Sequence, residues 1–485
     1  MGLFSKAYWN RYHKNYVLIS WLFLRGLALI YFAAFASMAI QIEGLVGSNG
    51  ILPVTDKLAL LELFYSEQRF WRLPTIFWFD ASDTMLISVC YIGMAFTILL
   101  LFNLFTRFSL FFCYILYLSI VKAGQEFTAF QWDTFLLETG FLALFLTWGS
   151  GITILLFRWL IARFMFMGGI VKIASGDSNW VNLTALSFYY ETQPLPTPLA
   201  YYAHHLPIWF HKLCVGSVFF IELIVPFFLF LPRRFRIFAC YAFILLQCGI
   251  MLTGNYTFFN VLVILLCLFL LEDKDVVRMF PSWLCSIIQG EKPRLGSIAH
   301  VFSGIWAGLV ILVCISHLWL YHINVPLIDP LKSLLRVTSA FNLVNNYGPF
   351  SVMTTKRNEI IVQGSNDALH WSNYEFKYKP DELNHNLSWN IPHQPRLDWQ
   401  MWFVALRAAR KDSWFDKFQI RLLQGSPQVL SLLDKNPFSQ KPPVYVRALS
   451  YRYSYTTLDQ HDYNGQYWKR EYMGFYWPAR RLISD

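Results

Sequence analysis

Nine apolar runs between residues 17 and 321, most of them long enough to cross a hydrocarbon layer, constrain the fold more than any other feature of this chain. They are about Val17–Ile40, Thr84–Leu104, Phe108–Val121, Phe127–Trp148, Ile152–Lys172, Ile208–Leu231, Ile237–Leu252, Phe258–Leu271 and Ile298–Tyr321. Inside a bilayer every backbone N–H and C=O has to be paired by the chain itself, and runs of this length satisfy that as helices. The chain is therefore read as mainly α: a polytopic helical bundle of about nine spans. Phe108–Val121 and Phe258–Leu271 are short, so seven or eight spans is the alternative count. Composition agrees, with 56% hydrophobic and 14% charged residues and a mean hydropathy of +0.39; soluble domains carry about a quarter charged residues.

The net charge of +10 does not indicate nucleic acid, because the basic residues gather at the ends of apolar runs, where they set orientation. Lys6, Arg11 and Lys14 precede the first run, Thr106–Arg107 makes a short turn, and Arg233, Arg234 and Arg236 follow the sixth. Lys274, Arg278, Lys292 and Arg294 follow the eighth. The positive-inside rule then puts the N-terminus in the cytoplasm and everything after the ninth run outside. Residues 41–83 and 173–207 become outer loops, and residues 1–321 a transmembrane domain. Met1–Tyr16 is polar and basic and the first run is too long for a signal-peptide core, so no cleavable leader is expected. Asp56–Trp71 reads as an amphipathic helix lying along the interface, with Leu58, Leu61, Phe64 and Tyr65 on its apolar side.

Beyond His322 the chain turns polar and rich in Trp, Tyr, Pro and Asn. Residues 322–485 are expected to form an extracytoplasmic α+β domain with a small β-sandwich-like sheet. Asn358–Gln363 and Tyr374–Tyr378 alternate as strands do, and Tyr445–Thr456 reads as a third. Gly364–Trp371 between the first two has the G-S-x-D-x-x-x-W pattern found in discoidin-type sandwiches. Leu397–Arg410, Trp414–Leu423 and Pro427–Leu433 read as helices. Of the eight cysteines, Cys285 alone lies outside an apolar run, and none follows Cys314. There is no CxxC spacing, so neither disulfides nor a thiol role is expected in the outer domain.

Chemistry is concentrated in the ionisable groups at membrane depth. Each costs about 2.5–3.5 kcal/mol to insert and needs a partner. In Phe127–Trp148, Gln131, Thr134 and Glu138 share one helix face, and Glu126 and Asp133 a second stripe. Asp133 and Glu138 are separated by about 140° around the axis, so they do not form a carboxylate pair. Arg25, Arg158, Arg163 and Lys172 are the candidate partners, with Glu222 an isolated acid in the sixth run. The plain reading is a buried polar network that fixes helix packing. The sharper one is a ligand or substrate cavity with Lys172, Glu138 and Asp133 as candidate catalytic groups. In the stretch 167–207, Asp177, Trp180, Tyr190, Glu191, His204 and His205 make a candidate partner face, joined by Trp371, Trp399 and Trp402 of the outer domain. Adjacent histidines point apart on a helix and no third ligand accompanies them, so no metal is expected, nor any cofactor. No nucleophile elbow, P-loop, Rossmann glycine motif or HExxH is present.

Several long blocks are similar to one family. They are QIEGLVGSNGILP (Gln41–Pro53), QWDTFLLETGFLA (Gln131–Ala143), KIASGDSNWVNLTALSFYYETQPLPTPLAYYAHHLP (Lys172–Pro207) and NNYGPFSVMTTKRNEIIVQGS (Asn345–Ser365). EFKYKP (Glu375–Pro380), PHQPRLDWQMWFVAL (Pro392–Leu406), LLDKNPF (Leu432–Phe438) and WKREYMGFYWP (Trp468–Pro478) complete the set. They resemble the lipase maturation factor family. The resemblance implies a membrane-anchored maturation factor or chaperone whose outer C-terminal region engages a secreted, lipase-like client. It implies the endoplasmic reticulum membrane in a eukaryote and the inner membrane in a bacterium. The membrane part also looks distantly like that of vitamin K-dependent carboxylases, which keeps open an embedded enzyme or lipid-binding protein. Membrane lipids and a client protein are the expected partners.

Overall fold

The apolar runs fold as helices whose polar turns collect at two ends of a bundle. The computed structural model describes residues 12, 14–283, 285, 288, 297–322, 328–383 and 385–482, with the backbone alone at 297–300 and 317–322. Lys6, Arg11, Lys292 and Arg294, used above to orient the chain, lie outside these residues. The principal helices are α1 (Val17–Ala39), α2 (Val54–Tyr65), α3 (Asp83–Leu101), α4 (Thr106–Ala123), α5 (Gln131–Leu146), α6 (Gly151–Ala174), α7 (Pro198–His204) and α8 (Ile208–Phe219). They continue with α9 (Arg233–Thr253), α10 (Phe259–Leu266), α11 (Ser297–His322), α12 (Asp329–Ala340), α13 (Arg396–Ala405) and α14 (Trp414–Gln424). Among the described residues six helices are long and apolar enough to cross a membrane: α1, α3, α4, α6, α8 with its continuation to Phe230, and α9. The apolar stretch Phe259–Leu270 is shorter, and α5 has 16 residues.

Backbone pairing fixes which turns meet. At one end Asp273 accepts the first N–H groups of α1, from Val17, Leu18 and Ile19, at 2.9–3.1 Å, where a carboxylate offsets the positive end of the helix dipole. Arg107 reaches the Thr147 carbonyl at 3.2 Å on the same side. At the other end the loop after α1, the turn at 124–128 and the outer stretch come together. Gln125 donates to the Leu52 carbonyl at 2.9 Å, and Pro196 forms an isolated bridge with Gly254.

Two features depart from regular helix. α8 runs into a π turn at Phe220–Ile224 and a 3-10 segment at Val225–Phe230. Pro226 lacks an N–H and cannot continue an α-helix without losing a hydrogen bond. The expected amphipathic helix stops at Tyr65, because Ser66 takes φ 42°. A tight turn and the short helix Arg69–Arg72 follow. Leu58 is buried, whereas Leu60, Leu63, Phe64 and Tyr65 are exposed.

The C-terminal region is built on one antiparallel sheet in the order β2–β1–β5–β6. The strands are β1 (Arg357–Ser365), β2 (Ser372–Asn373), β5 (Tyr445–Tyr455) and β6 (Trp468–Arg480). β3 (Glu375–Phe376) and β4 (Leu433–Lys435) form a separate ribbon. The expected sandwich is thus one sheet backed by helices, since α13 packs against β1 and α14 against β5. Of Tyr374–Tyr378, Glu375–Phe376 is a strand, paired with β4, and Leu433 is in a strand rather than a helix. β6 went unread because Gly474 (φ 121°) and Pro478 interrupt its pattern; shifts in register accompany Gly474. Such features belong at sheet edges, where β6 lies.

The sheet domain sits on the bundle end formed by the turns after α1, α4, α6 and α9. A Cβ on Gly44, in the first loop, would lie 2.4 Å from the Gln428 carbonyl oxygen and 2.8 Å from the Leu432 side chain. Gly44→Ala is therefore expected to lose about 1–3 kcal/mol of stability by overpacking. It should speed proteolytic cleavage between the bundle and the C-terminal domain. Gly216→Ala, with open space around its Cβ, should cleave at the parental rate.

Candidate functional site

The site is the seat on which the C-terminal domain rests, and buried charges build it. Asp133, in the first turn of α5, meets Arg396, at the start of α13, in a two-pronged ion pair of 2.8 and 2.9 Å. Both side chains are at most 1% exposed. Tyr117 donates its hydroxyl to the same carboxylate at 2.5 Å, and Arg396 also reaches the Phe127 carbonyl at 2.7 Å. Planar guanidinium and planar carboxylate match edge to edge, which suits Arg to such a pair. Asp133 of the expected second stripe thus faces the C-terminal domain, whereas Glu126 lies ahead of α5 in the 3-10 turn Gln125–Thr128, where its carbonyl accepts from Gln400.

The first stripe meets the linker between the two parts. Glu138 pairs with Arg163 and accepts bonds from the Asn345 N–H (2.9 Å) and the Tyr347 hydroxyl (2.7 Å). Gln131 accepts from the Gly348 N–H at 3.1 Å. The Asn345–Gly348 segment is strapped to the face that Gln131, Thr134 and Glu138 share, with Asn345 also donating to the Thr134 carbonyl at 3.3 Å.

Lys172 is held by Glu222 at 2.7 and 2.9 Å and by the Gly168 carbonyl at 3.0 Å. Its three N–H donors therefore all have acceptors. The contact needs close helices: a Cβ on Gly169 would sit 2.6 Å from Leu223, and the π turn carries Glu222 toward the amine. Arg158 is occupied by the Phe269 carbonyl and the Tyr12 and Tyr16 hydroxyls at 2.5–2.8 Å. Arg25 bonds Asn103 and lies over the Trp21 ring. The eight polar groups expected to form one network thus form separate local sets. The space beside Glu138 is about 10 Å³, at the lower limit for a single water.

The stretch 173–207 is cover for the sheet domain. Asp177 caps the short helix Ser178–Val181 and accepts from the Met353 N–H at 2.6 Å. Trp180 is buried and donates to the Phe350 carbonyl at 3.0 Å. Arg357 of β1 grips the carbonyls of Glu191, Gln193 and Pro194 at 2.5–2.9 Å while paired with Glu359 at 2.7 Å. Glu191 accepts from the Tyr455 N–H at 3.1 Å, and His205 bonds the Thr456 carbonyl at 2.9 Å. The Tyr190 carbonyl takes the Tyr455 hydroxyl at 3.1 Å. Trp399 is buried against Phe130, Trp132 and Tyr256, and Trp402 donates to the Thr192 carbonyl at 2.7 Å.

The partner face drawn from the sequence is therefore corrected at these positions. Asp177, Trp180, Tyr190, Glu191, His205, Trp399 and Trp402 hold the chain to itself. Trp371 stays at the surface, under the Arg447 guanidinium at 3.9 Å. Among the described residues no group of three metal-ligating side chains occurs. Arg396, Arg357, Asn345 and Tyr347 were not singled out because partners for the membrane carboxylates were sought within the apolar runs. The signal was an Arg inside PHQPRLDWQMWFVAL, a stretch otherwise apolar enough to be buried.

Burial also shifts the histidines of the seat. His204, 3.7 Å from Glu191, is pushed down to about 4 by burial and then by His205 and His211. His393, 2.9 Å from Ser37, is pushed down to about 4 by burial and then by Arg396 and Lys377. Asp398 is raised to about 6 by burial, against the N–H groups of Tyr378 and Lys379.

The comparisons with known proteins follow this division. The lipase maturation factor transmembrane domain model matches residues 18–278, and the lipase maturation factor C-terminal domain model matches residues 343–478. The chain belongs to the lipase maturation factor family. It is 34% identical to lipase maturation factor 2 of Xenopus tropicalis, over 94% of this chain and 81% of that protein. It is 35% identical to lipase maturation factor 1 of Homo sapiens, over 95% of this chain and 87% of that protein. No solved structure matches it.

Two outcomes test the seat. Asp133→Leu or Arg396→Met alone strands a buried charge and should cost about 3–5 kcal/mol, whereas the double variant should recover much of that loss; thermal unfolding in detergent reads the cycle. A histidine whose folded value lies below its free value of about 6.5 is protonated first in the unfolded chain. His204 and His393 thus stabilise the docked state above pH 6.5, and that contribution is lost as pH falls toward 4. Asp398 acts in the opposite sense below pH 6. The His204→Gln/His393→Gln variant should therefore lose less unfolding temperature than the parent between pH 7 and 4.5.

Proposed function

We propose that this member of the lipase maturation factor family is a membrane-anchored factor that assists the folding or assembly of secreted lipases, with its C-terminal domain on the extracytoplasmic side. The observation that carries this reading is the match to lipase maturation factors 1 and 2 along nearly the whole chain. About nine spans with the N-terminus inside accord with the basic clusters. Residues 1–321 then form the transmembrane part and residues 322–485 the outer domain. The membrane is that of the endoplasmic reticulum in a eukaryote and the inner membrane in a bacterium.

The client face belongs on the outer sheet rather than on the seat. Across the sheet Arg447 of β5 lies between Trp371, which adjoins β2, and Phe475 of β6, and Leu369 beside β2 and Tyr472 and Phe475 on β6 are 80%, 52% and 62% exposed. Exposed aromatic and arginine side chains are the groups that anchor protein interfaces. An unpaired edge strand such as β6 also offers backbone donors and acceptors to an extended segment of a folding client.

An embedded enzyme is the weaker reading, because Lys172, Glu138 and Asp133 are occupied by Glu222, Arg163 and Arg396. The two readings separate in a cell lacking the factor. Re-expression of the parent should restore secreted lipase activity, and Leu369→Asp/Phe475→Asp should restore about a tenth of it or less while reaching the membrane at parental levels. Lys172→Leu/Glu222→Leu, which removes the pair together, should restore lipase activity if the lysine is structural. Loss of activity in a stable, membrane-inserted form of that variant would favour the enzyme.

A further inference from the structure

A cleft of about 740 Å³ opens beside the seat, where α2, the last turn of α4, the turn after it, the linker and α14 meet. Its lining is sorted by chemistry. Lys57 of α2, Lys122 of α4, Arg72 and Lys417 of α14 bring four cations, against Asp56 and Glu126. Leu52, Leu60, Leu61, Leu73 and Val121 supply an apolar wall. Lys57 and Lys417 make no ion pair or hydrogen bond among the described residues. Lys122 has only two weak contacts, at 3.4 Å, to Ser339 and Asn342. Burial holds the Lys57 amine below its ordinary value, with Glu126 acting to raise it; a bound anion would reverse that shift.

Position adds the second constraint. Lys122 lies in the final turn of a membrane-length helix, so the cationic floor is at headgroup level on the side of the C-terminal domain. The α2 side chains next to the cleft, Leu60, Leu63 and Phe64, are 55%, 78% and 68% exposed, and Trp71 is 67% exposed. A helix with such a face rests in the acyl boundary, and Trp favours the interface. A polar ligand alone would leave the apolar wall wet, and an apolar one would strand the lysines.

We propose that this cleft is a binding site for one anionic phospholipid, its phosphate held by Lys57, Lys122 and Lys417 and its acyl chains laid along Leu60, Leu61 and Leu73. Because Lys417 belongs to the C-terminal domain and Lys57 and Lys122 to the bundle, the lipid closes the seat from its membrane side. The inference stands apart from the client proposal and does not use it.

Native mass spectrometry on the full chain in detergent tests it, with phosphatidylglycerol, phosphatidylcholine and oleate as separate probes. Phosphatidylglycerol should stay bound through mild delipidation and phosphatidylcholine should not. Each lysine neutralised should weaken retention about fivefold, so Lys57→Gln/Lys122→Gln should lose nearly all of it. Lys417→Gln, half-buried on α14 of the C-terminal domain, provides a variant expected to fold normally and still bind less. Lys274→Gln, in the other end of the bundle, should bind as the parent does. Equal retention of both phospholipids, or retention unchanged in Lys417→Gln and Lys57→Gln/Lys122→Gln, would reduce the cleft to ordinary lipid contact and overturn the proposal. Binding of oleate without phosphatidylglycerol would overturn the phospholipid assignment.

Discussion

Asp133 and Arg396 are 263 residues apart and share one dry ion pair, and the arrangement of the rest depends on it. Neither charge is tolerable alone where it lies. The first turn of α5 needs the C-terminal domain in place, and the domain needs the bundle. Arg357 repeats the logic on the other side of the seat, since its guanidinium fills the carbonyl acceptors of Glu191, Gln193 and Pro194. Two regions that look independent in composition are therefore one folding problem. In biosynthesis the membrane helices come first, with Asp133 awaiting a partner that follows much later in the chain. Tyr117, bonded to Asp133 at 2.5 Å, gives that carboxylate a local donor within the bundle.

The same constraint assigns different jobs to the polar groups. Inside the bundle each acid at depth has its own cation: Glu138 has Arg163, and Glu222 has Lys172. Saturated pairs of this kind fix helix position. Ordinary helix geometry would not bring Glu222 to Lys172 without the π turn and the Gly168–Gly169 approach, so the irregularity in α8 is accounted for by packing.

Much of this was legible in the sequence, and the reasons are physical. Hydrocarbon length and basic flanks locate α1, α3, α4, α6, α8 and α9, because apolar runs report on solvent directly. The two faces of α5 were also legible: helical spacing separates Gln131 and Glu138 from Asp133, and the two sets meet different partners. What spacing could not give was the identity of those partners, because Arg396, Asn345 and Tyr347 are brought in by tertiary folding. The stretch 167–207 illustrates the same limit. Its aromatics and histidines read as a surface for another protein, and they are such a surface, except that the other party is the chain's own sheet domain. A polar, aromatic segment between two membrane helices looks the same whether it binds in cis or in trans.

Docking in cis then narrows where anything else can bind. With the seat filled, the exposed groups with unused valence are those outside it: the aromatic edge around Trp371 and Phe475, and the lysines at the cleft beside α2. The first is the face proposed for the client protein, because it offers exposed aromatic area and an edge strand. The second is the site proposed for a phospholipid, because it combines cations with an apolar wall. Both border the domain that Asp133 and Arg396 hold in place. This chain pairs its conspicuous intramembrane charges within the fold and keeps its unused cations, Lys57 and Lys417, at the rim.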